Sequence, residues 1–196
     1  VHYIEGGFPG SNPKDIEFFE RAKSLKLNTA TITAFGTTCR KGVPAADDEG
    51  LRALLETGCE ALCIFGKSSD LHVTEALNAT LDENLRMVRE SVAHLKAAGR
   101  TVFFDAEHFF DGYAANASYA LEVCRAAATA GADAVVLCDT NGGTLPHVVA
   151  RVVAGHRPEQ RRRVGNGAGD GPDLVERARE GDHAVSGDPA VGGLHA

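Results

Sequence analysis

Short apolar runs recur along residues 1–155, separated by stretches whose apolar residues return every three to four positions. The runs are HYIE (2–5), TATITAF (29–35), ALCIFG (61–66), TVFFDAE (101–107) and AVVLCD (134–139). Each is β-branched or aromatic and bounded by glycine or polar residues, which predicts strands. The stretches between them predict helices, and several carry end signals. Asn12-Pro13 reads as an N-cap followed by proline at the first helical position. Thr80 and Glu83 read as a capping box, and behind them Leu81, Leu85, Val88, Val92 and Leu95 form one apolar stripe. Gly58, Gly99 and Gly131 end three helices, the last of them rich in small residues (116–131), and a further helix begins near Pro146.

Strand and helix alternating in this way predict parallel βα units. Two architectures fit, a doubly wound open sheet and a (β/α)8 barrel. No G-x-G-x-x-G follows any strand, which weakens the dinucleotide-binding form of the open sheet. Polar residues instead stand at the carboxyl ends of several strands: Glu5, Thr33, Lys67, Glu107, Asp139 and Thr140. A barrel builds its active site at that end from many strands. The expected fold is therefore α/β, a partial (β/α)8 TIM barrel. A whole barrel takes eight strands and roughly 250 residues. Five to six units are expected here, with the first and last units missing and the chain a piece of a longer protein.

Composition narrows the picture. The 196 residues carry a net charge of −7, which argues against a nucleic-acid partner. No apolar run approaches the roughly 18 residues of a bilayer span, so no membrane partner is expected, and no secretory leader is visible. The odd cysteine count of five matches no zinc pattern; Cys39, Cys59, Cys63, Cys124 and Cys138 read as small buried hydrophobes in a reducing, cytoplasmic setting. From about residue 156 the character changes. Residues 156–196 are rich in Gly, Arg and Asp and lack a strand-length apolar run, so two domains are expected: a partial-barrel catalytic domain over 1–155 and a poorly ordered tail. Arg161-Arg162-Arg163 reads as a solvated charge run.

The chemistry concentrates in VFFDAEHFFDGY, residues 102–113. Alternate residues of a strand share a face. Val102, Phe104 and Ala106 belong under helices, which sends Phe103, Asp105 and Glu107 into the barrel lumen, with Glu107 at the mouth. Carboxylates buried there must be paired, metal-bound or hydrogen-bonded. Glu107 is the candidate catalytic residue and Asp105 a second candidate; the structural alternative is an ion pair with a lumen Lys or Arg. His108 falls just past the strand, facing away, in a loop role. A second constellation is LCDTNGGTLP (137–146), where Thr140 and free backbone N–H groups of a Gly-rich turn suit a carboxylate or carbonyl oxygen.

Three stretches in order, YIEGGFPGSNPKD, DAEHFFDGYAAN and GADAVVLCDTNGGTLP, together resemble the citramalate synthases. These belong to the metal-dependent, Claisen-condensing barrel family with isopropylmalate and homocitrate synthases. The resemblance covers residues 1 to about 155. It implies an acyltransferase that condenses acetyl-CoA with pyruvate to give citramalate, on a route to isoleucine. It further implies a divalent metal (Mn, Mg or Zn) as Lewis acid and a homodimeric full-length enzyme. On this resemblance Glu107 matches the glutamate assigned to acid–base work, Thr140 the threonine that contacts the oxo acid, and Glu5 the glutamate at the mouth; Asp105 fills a variable lumen position.

The departures carry equal weight. The resemblance implies an Arg-Asp pair on a preceding strand and a His-x-His on a following one. His156, His183 and His195 make no His-x-His, so no metal ligand is assigned to this chain, and as given it is expected to be incomplete and inactive. The change near Ala154 suggests a shifted reading frame or a truncated gene model. The alternatives are a larger 2-oxo acid (isopropylmalate or homocitrate synthase), an aldolase or lyase on the same scaffold, and a non-catalytic barrel fragment.

Overall fold

A computed structural model describes residues 1–156, so the expected tail, with its Arg161–Arg163 run and with His183 and His195, lies outside the described residues apart from His156. Five strands alternate with five helices: β1 (Tyr3–Gly7), α1 (Pro13–Ala22), β2 (Thr31–Thr37), α2 (Glu49–Glu56), β3 (Ala61–Lys67), α3 (Leu81–Ala97), β4 (Thr101–Glu107), α4 (Phe109–Thr129), β5 (Ala134–Leu137) and α5 (Pro146–His156). All pairings are parallel and the strand order is β1-β2-β3-β4-β5. A doubly wound sheet reverses its strand order at a switch point. Here the order never reverses, and right-handed crossovers then put every helix on one face. The five units are part of a (β/α)8 barrel.

Strand alternation works as the sequence predicts. Val102, Phe104 and Ala106 of β4 are completely buried, while Phe103, Asp105 and Glu107 on the other face are half-buried. On β3 Leu62 and Ile64 pack into the core under the helices, while Ala61 and Cys63 on the other face are buried as well. Across from Leu62 and Ile64 α3 presents Leu85, Val88, Val92 and Leu95, all buried. Each such side chain contributes about 1.5–3 kcal/mol by leaving water. Close approach of helix to sheet needs a small residue at one level: a Cβ on Gly66 would lie 2.9 Å from the Phe104 ring and 3.3 Å from Val88.

Helix ends are mostly legible. Asn12 accepts the Asp15 N–H at 3.1 Å, and Gly58, Gly99 and Gly131 adopt positive φ after their helices. The capping box is half formed. Thr80 accepts from the Glu83 N–H, but the Glu83 carboxylate accepts from Gly42 N–H and from Arg86 instead. The small-residue helix also begins earlier than its pattern suggests. A first turn starts at Phe109, directly after β4, and a kink at Asn116 (φ −148°, ψ 78°) joins it to the rest. Thr33, expected at a strand end, lies inside β2, which runs on to Thr37.

Two contacts hold the loops at the carboxyl ends. Asp48 is 2% exposed, and its carboxylate accepts from the backbone N–H groups of Arg40, Gly50 and Leu51 and from the Arg40 guanidinium. Burial raises its carboxyl, yet the hydrogen bonds from Arg40 and Leu51 outweigh this and hold it below the usual carboxylate value. Gly112 packs the first turn of α4 onto the loop after β3, where an added Cβ would stand 2.3 Å from the Ser68 carbonyl oxygen and 2.8 Å from Ser69 Cα.

Two outcomes follow. Because those contacts are backbone and cannot rotate away, Gly112→Ala lowers stability by about 1–3 kcal/mol, read from denaturant midpoints. A lowered folded-state acid stabilises the fold above its ordinary value and loses that contribution as pH falls through the lowered one. Asp48→Asn therefore destabilises at neutral pH, and its deficit against the wild type shrinks as pH drops below about 4, measured as unfolding midpoint against pH.

Candidate active site

The carboxyl ends of β1, β3, β4 and β5 bring the predicted polar residues to one region. Lys67 ends β3 and Glu107 ends β4, and the two are Cα partners in the parallel ladder. Their side chains meet: Lys67 Nζ donates to Glu107 Oε2, with both side chains about four-fifths buried (19% and 22% exposed). The ion-pair alternative for Glu107 is thus realised geometrically. Such a pair, partly out of water, is weak evidence for stability and better evidence for a fixed position. The backbone is fixed as well. Ser68 donates its N–H (2.9 Å) and its hydroxyl (2.7 Å) to the Glu107 carbonyl, and the wholly buried Asn84 of α3 donates to the Lys67 carbonyl at 2.9 Å.

An aromatic wall lies beside this pair. Phe35 of β2 and Phe65 of β3 stack at 5.4 Å, Phe8 stands edge-on to both, and Lys67 Nζ sits 5.3 Å from the Phe65 ring centre. A second aromatic contact, Tyr3 edge-on to Phe103 at 4.7 Å, joins β1 to β4 across the same face.

Glu5, Cys63 and Asp105 also converge. One ligand atom from each lies within 4.8 Å of the other two, so the three could hold a metal ion. The spacing suits a single coordination sphere: carboxylate oxygens serve Mg or Mn, and a thiolate favours Zn. Thr33 is the Cα partner of Glu5; its hydroxyl is buried and has no hydrogen-bond partner among the described residues. Burial pushes the Cys63 thiol up, and the Asp105 and Glu5 carboxylates beside it add to that shift. Cys138, just past β5, is pushed up to about 12 by burial together with Asp105, Glu107 and Glu5. The acids of β1 and β4 therefore share one electrostatic neighbourhood. The Asp and His-x-His ligands implied by the family resemblance are not among the described residues.

Thr140 follows β5 on an exposed turn. Its Oγ1 accepts the His108 N–H at 2.8 Å, which places the hydroxyl against the peptide that leaves Glu107. His108 is left-handed (φ 57°, ψ 30°), a conformation that His tolerates better than most residues. Its ring stacks on His72 at 3.7 Å and 9°, and the Nδ1 atoms of both rings are buried without a hydrogen-bond partner among the described residues. Burial, then His72 and Lys67, hold the His108 ring below its ordinary pKa. Asp139 is occupied locally: its carboxylate accepts from the Thr144 N–H and hydroxyl at 3.0 and 2.7 Å.

Glu107, Thr140, Glu5 and Asp105 thus fall into one region, while Cys63 and Lys67 join it without having been assigned roles from sequence. Cys63 is as buried as expected, but it faces the lumen with the parity of Lys67. That parity, two and four residues along IFGK, was the available signal.

The protein-family model described as HMGL-like matches residues 1–159, and the chain belongs to that family. An (R)-citramalate synthase of Streptomyces coelicolor is 56% identical over 155 residues, covering 79% of this chain and 29% of that protein. A homocitrate synthase of Sulfurisphaera tokodaii is more distant, 30% identical over 149 residues and covering 74% of this chain and 30% of that protein. The chain therefore spans under a third of the length of the curated relatives it matches. Among solved structures, a Bacillus subtilis HMG-CoA lyase superposes with a TM-score of 0.59 at 21% identity, covering 79% of this chain and 51% of that one, which supports the fold. No described helix is long and apolar enough to cross a membrane.

The donor group can be tested directly. Titration of the chain with Zn²⁺ and Mn²⁺, followed by calorimetry, yields one site. Cys63→Ser weakens Zn²⁺ more than Mn²⁺, since only the softer ion favours sulfur. Equal losses for both ions, or none, would remove Cys63 from the ligand set.

Proposed function

We propose that the protein carrying this chain is an acyltransferase that condenses acetyl-CoA with pyruvate to give citramalate. The observation that supports it most is the Glu107–Lys67 pair at the carboxyl end of the barrel strands, with the Thr140 hydroxyl accepting the N–H of the next residue, His108. The identity of 56% to a citramalate synthase, against 30% to a homocitrate synthase, favours pyruvate over a larger oxo acid.

In this reading Thr140 donates its hydroxyl proton to an oxygen of the bound oxo acid. Glu107 serves the proton balance: the methyl group of acetyl-CoA loses a proton, its carbon bonds to C2 of pyruvate, and the keto oxygen becomes a hydroxyl. Water then cleaves the thioester and releases CoA. Lys67 fixes the Glu107 carboxylate, and Phe8, Phe35 and Phe65 form an apolar wall suited to a small oxo acid and to water exclusion. Glu5, Cys63 and Asp105 are the described residues whose donors would hold a divalent ion, which when bound supplies Lewis-acid polarisation of the ketone. A cytoplasmic homodimer, with residues 1–155 as part of its catalytic barrel, belongs to the same proposal.

The test is acetyl-CoA-dependent thiol release with pyruvate, 2-oxoisovalerate and 2-oxoglutarate as rivals. Pyruvate is expected to be preferred, and Glu107→Gln to lower kcat by about 10²–10⁴-fold with the folded state retained. Preference for a branched or dicarboxylic rival would replace the substrate; turnover without acetyl-CoA would replace the reaction. An unchanged kcat in Glu107→Gln would reduce the pair to a structural one.

A further inference from the structure

The turn that carries Thr140 is tied to the start of α4 by contacts 29 to 32 residues apart in sequence. Asn141 Nδ2 donates to Asp111 Oδ2 at 2.6 Å. The His108 N–H donates to Thr140 Oγ1 at 2.8 Å, and the Phe109 N–H donates to the Cys138 carbonyl at 3.1 Å. Asp139 closes the turn from within through Thr144, and the Gly142 N–H donates to the Asp139 carbonyl at 2.9 Å. Asp111 also stands 3.8 Å from His108 Nδ1, so the residue that grips Asn141 borders the one that grips Thr140.

A hydroxyl has one proton and two lone pairs. A backbone N–H can only donate, so the lone pair of Thr140 that meets His108 is spent and the proton is left for another partner. Thr140 is exposed, so its proton is open to an incoming partner. Without the tie the threonine could turn away, or give its proton to a nearby carbonyl. The left-handed His108 is what aims the N–H, and the stack on His72 holds that residue's ring.

We propose that the His108 N–H and the Asp111–Asn141 hydrogen bond fix Thr140 as a hydrogen-bond donor toward a substrate oxygen, which makes Asp111 and Asn141 positioning residues for the oxo acid. This rests on the functional reading above. Neither residue touches the substrate; each acts through the turn.

The experiment combines hydrogen exchange with steady-state kinetics on the protein carrying this chain. Asp111→Ala and Asn141→Ala speed amide exchange at residues 140–144 and raise the KM for the oxo acid about three- to tenfold, with kcat within about twofold of wild type. Asp111→Asn stays close to wild type, because its amide oxygen still accepts from Asn141. Asn141→Asp sets two carboxylates against each other and raises the pKa of one. As pH falls that carboxyl takes a proton and can donate to its neighbour, so the KM of this variant drops toward the wild-type value at low pH. An unchanged KM in Asp111→Ala would overturn the proposal. So would equal losses in Asp111→Ala and Asp111→Asn with a flat pH profile for Asn141→Asp, since that pattern marks a structural role only. A wild type that turns over no oxo acid overturns the functional reading; exchange then decides the tie alone, and no acceleration at 140–144 in the alanine variants overturns it.

Discussion

The register between β3 and β4 is the constraint on which the site depends. Seven consecutive pairs, from Ala61 with Thr101 to Lys67 with Glu107, run without a break. On the helix side this register sets Leu62 beside Val102, Ile64 beside Phe104 and Gly66 beside Ala106, all buried against the helices. The lumen side is then determined, because side chains alternate. A slip of one residue would send the whole apolar layer to the wrong face. Apolar burial under the helices thus places a lysine opposite a glutamate at the barrel mouth. The ion pair is a consequence of packing that happens elsewhere.

From that pair outward, the loops are fixed by groups at strand ends. Ser68 meets the Glu107 carbonyl, Gly112 lets α4 lie against Ser68, and His108 meets Thr140. Each contact joins one βα unit to its neighbour. A barrel mouth is assembled from loops of different units, and loops by themselves are mobile. Here backbone donors and acceptors supply most of the fixation, so residues as plain as Ser68 and Gly112 bear on where Glu107 and Thr140 sit.

What the sequence disclosed follows from the range of the physics involved. Periodicity and end chemistry are local, and they place all five strands, the Asn12 and Thr80 caps and the lumen face of β4 correctly. Partners are not local. Glu107 showed itself as a carboxylate needing a partner, but Lys67 lies forty residues away and only the register names it. Glu83 looked committed to its own helix until Gly42 and Arg86 competed for it. Cys63 was hidden by its type, since a buried cysteine behaves as a small hydrophobe. Asp111 and Asn141 lie in two of the quoted stretches, but nothing local pairs them, and their meeting depends on how α4 starts. The early start of α4 was itself masked, because the left-handed His108 breaks the helical pattern where the first turn begins.

Charge balance in the lumen decides what Glu5, Cys63 and Asp105 can be. Glu107 has Lys67, a cation in contact. Glu5, Cys63 and Asp105 bring two carboxylates and a thiol within 4.8 Å, and the carboxylates add to the burial that pushes the Cys63 thiol up. Two states follow. In one, the proton stays on the Cys63 thiol; in the other, a cation replaces it. The shift of the Cys63 thiol far upward describes the first state, and binding an ion would reverse its sign, because a coordinating thiol is deprotonated outright. Metal binding through Cys63 therefore has to release the thiol proton, and affinity must rise with pH.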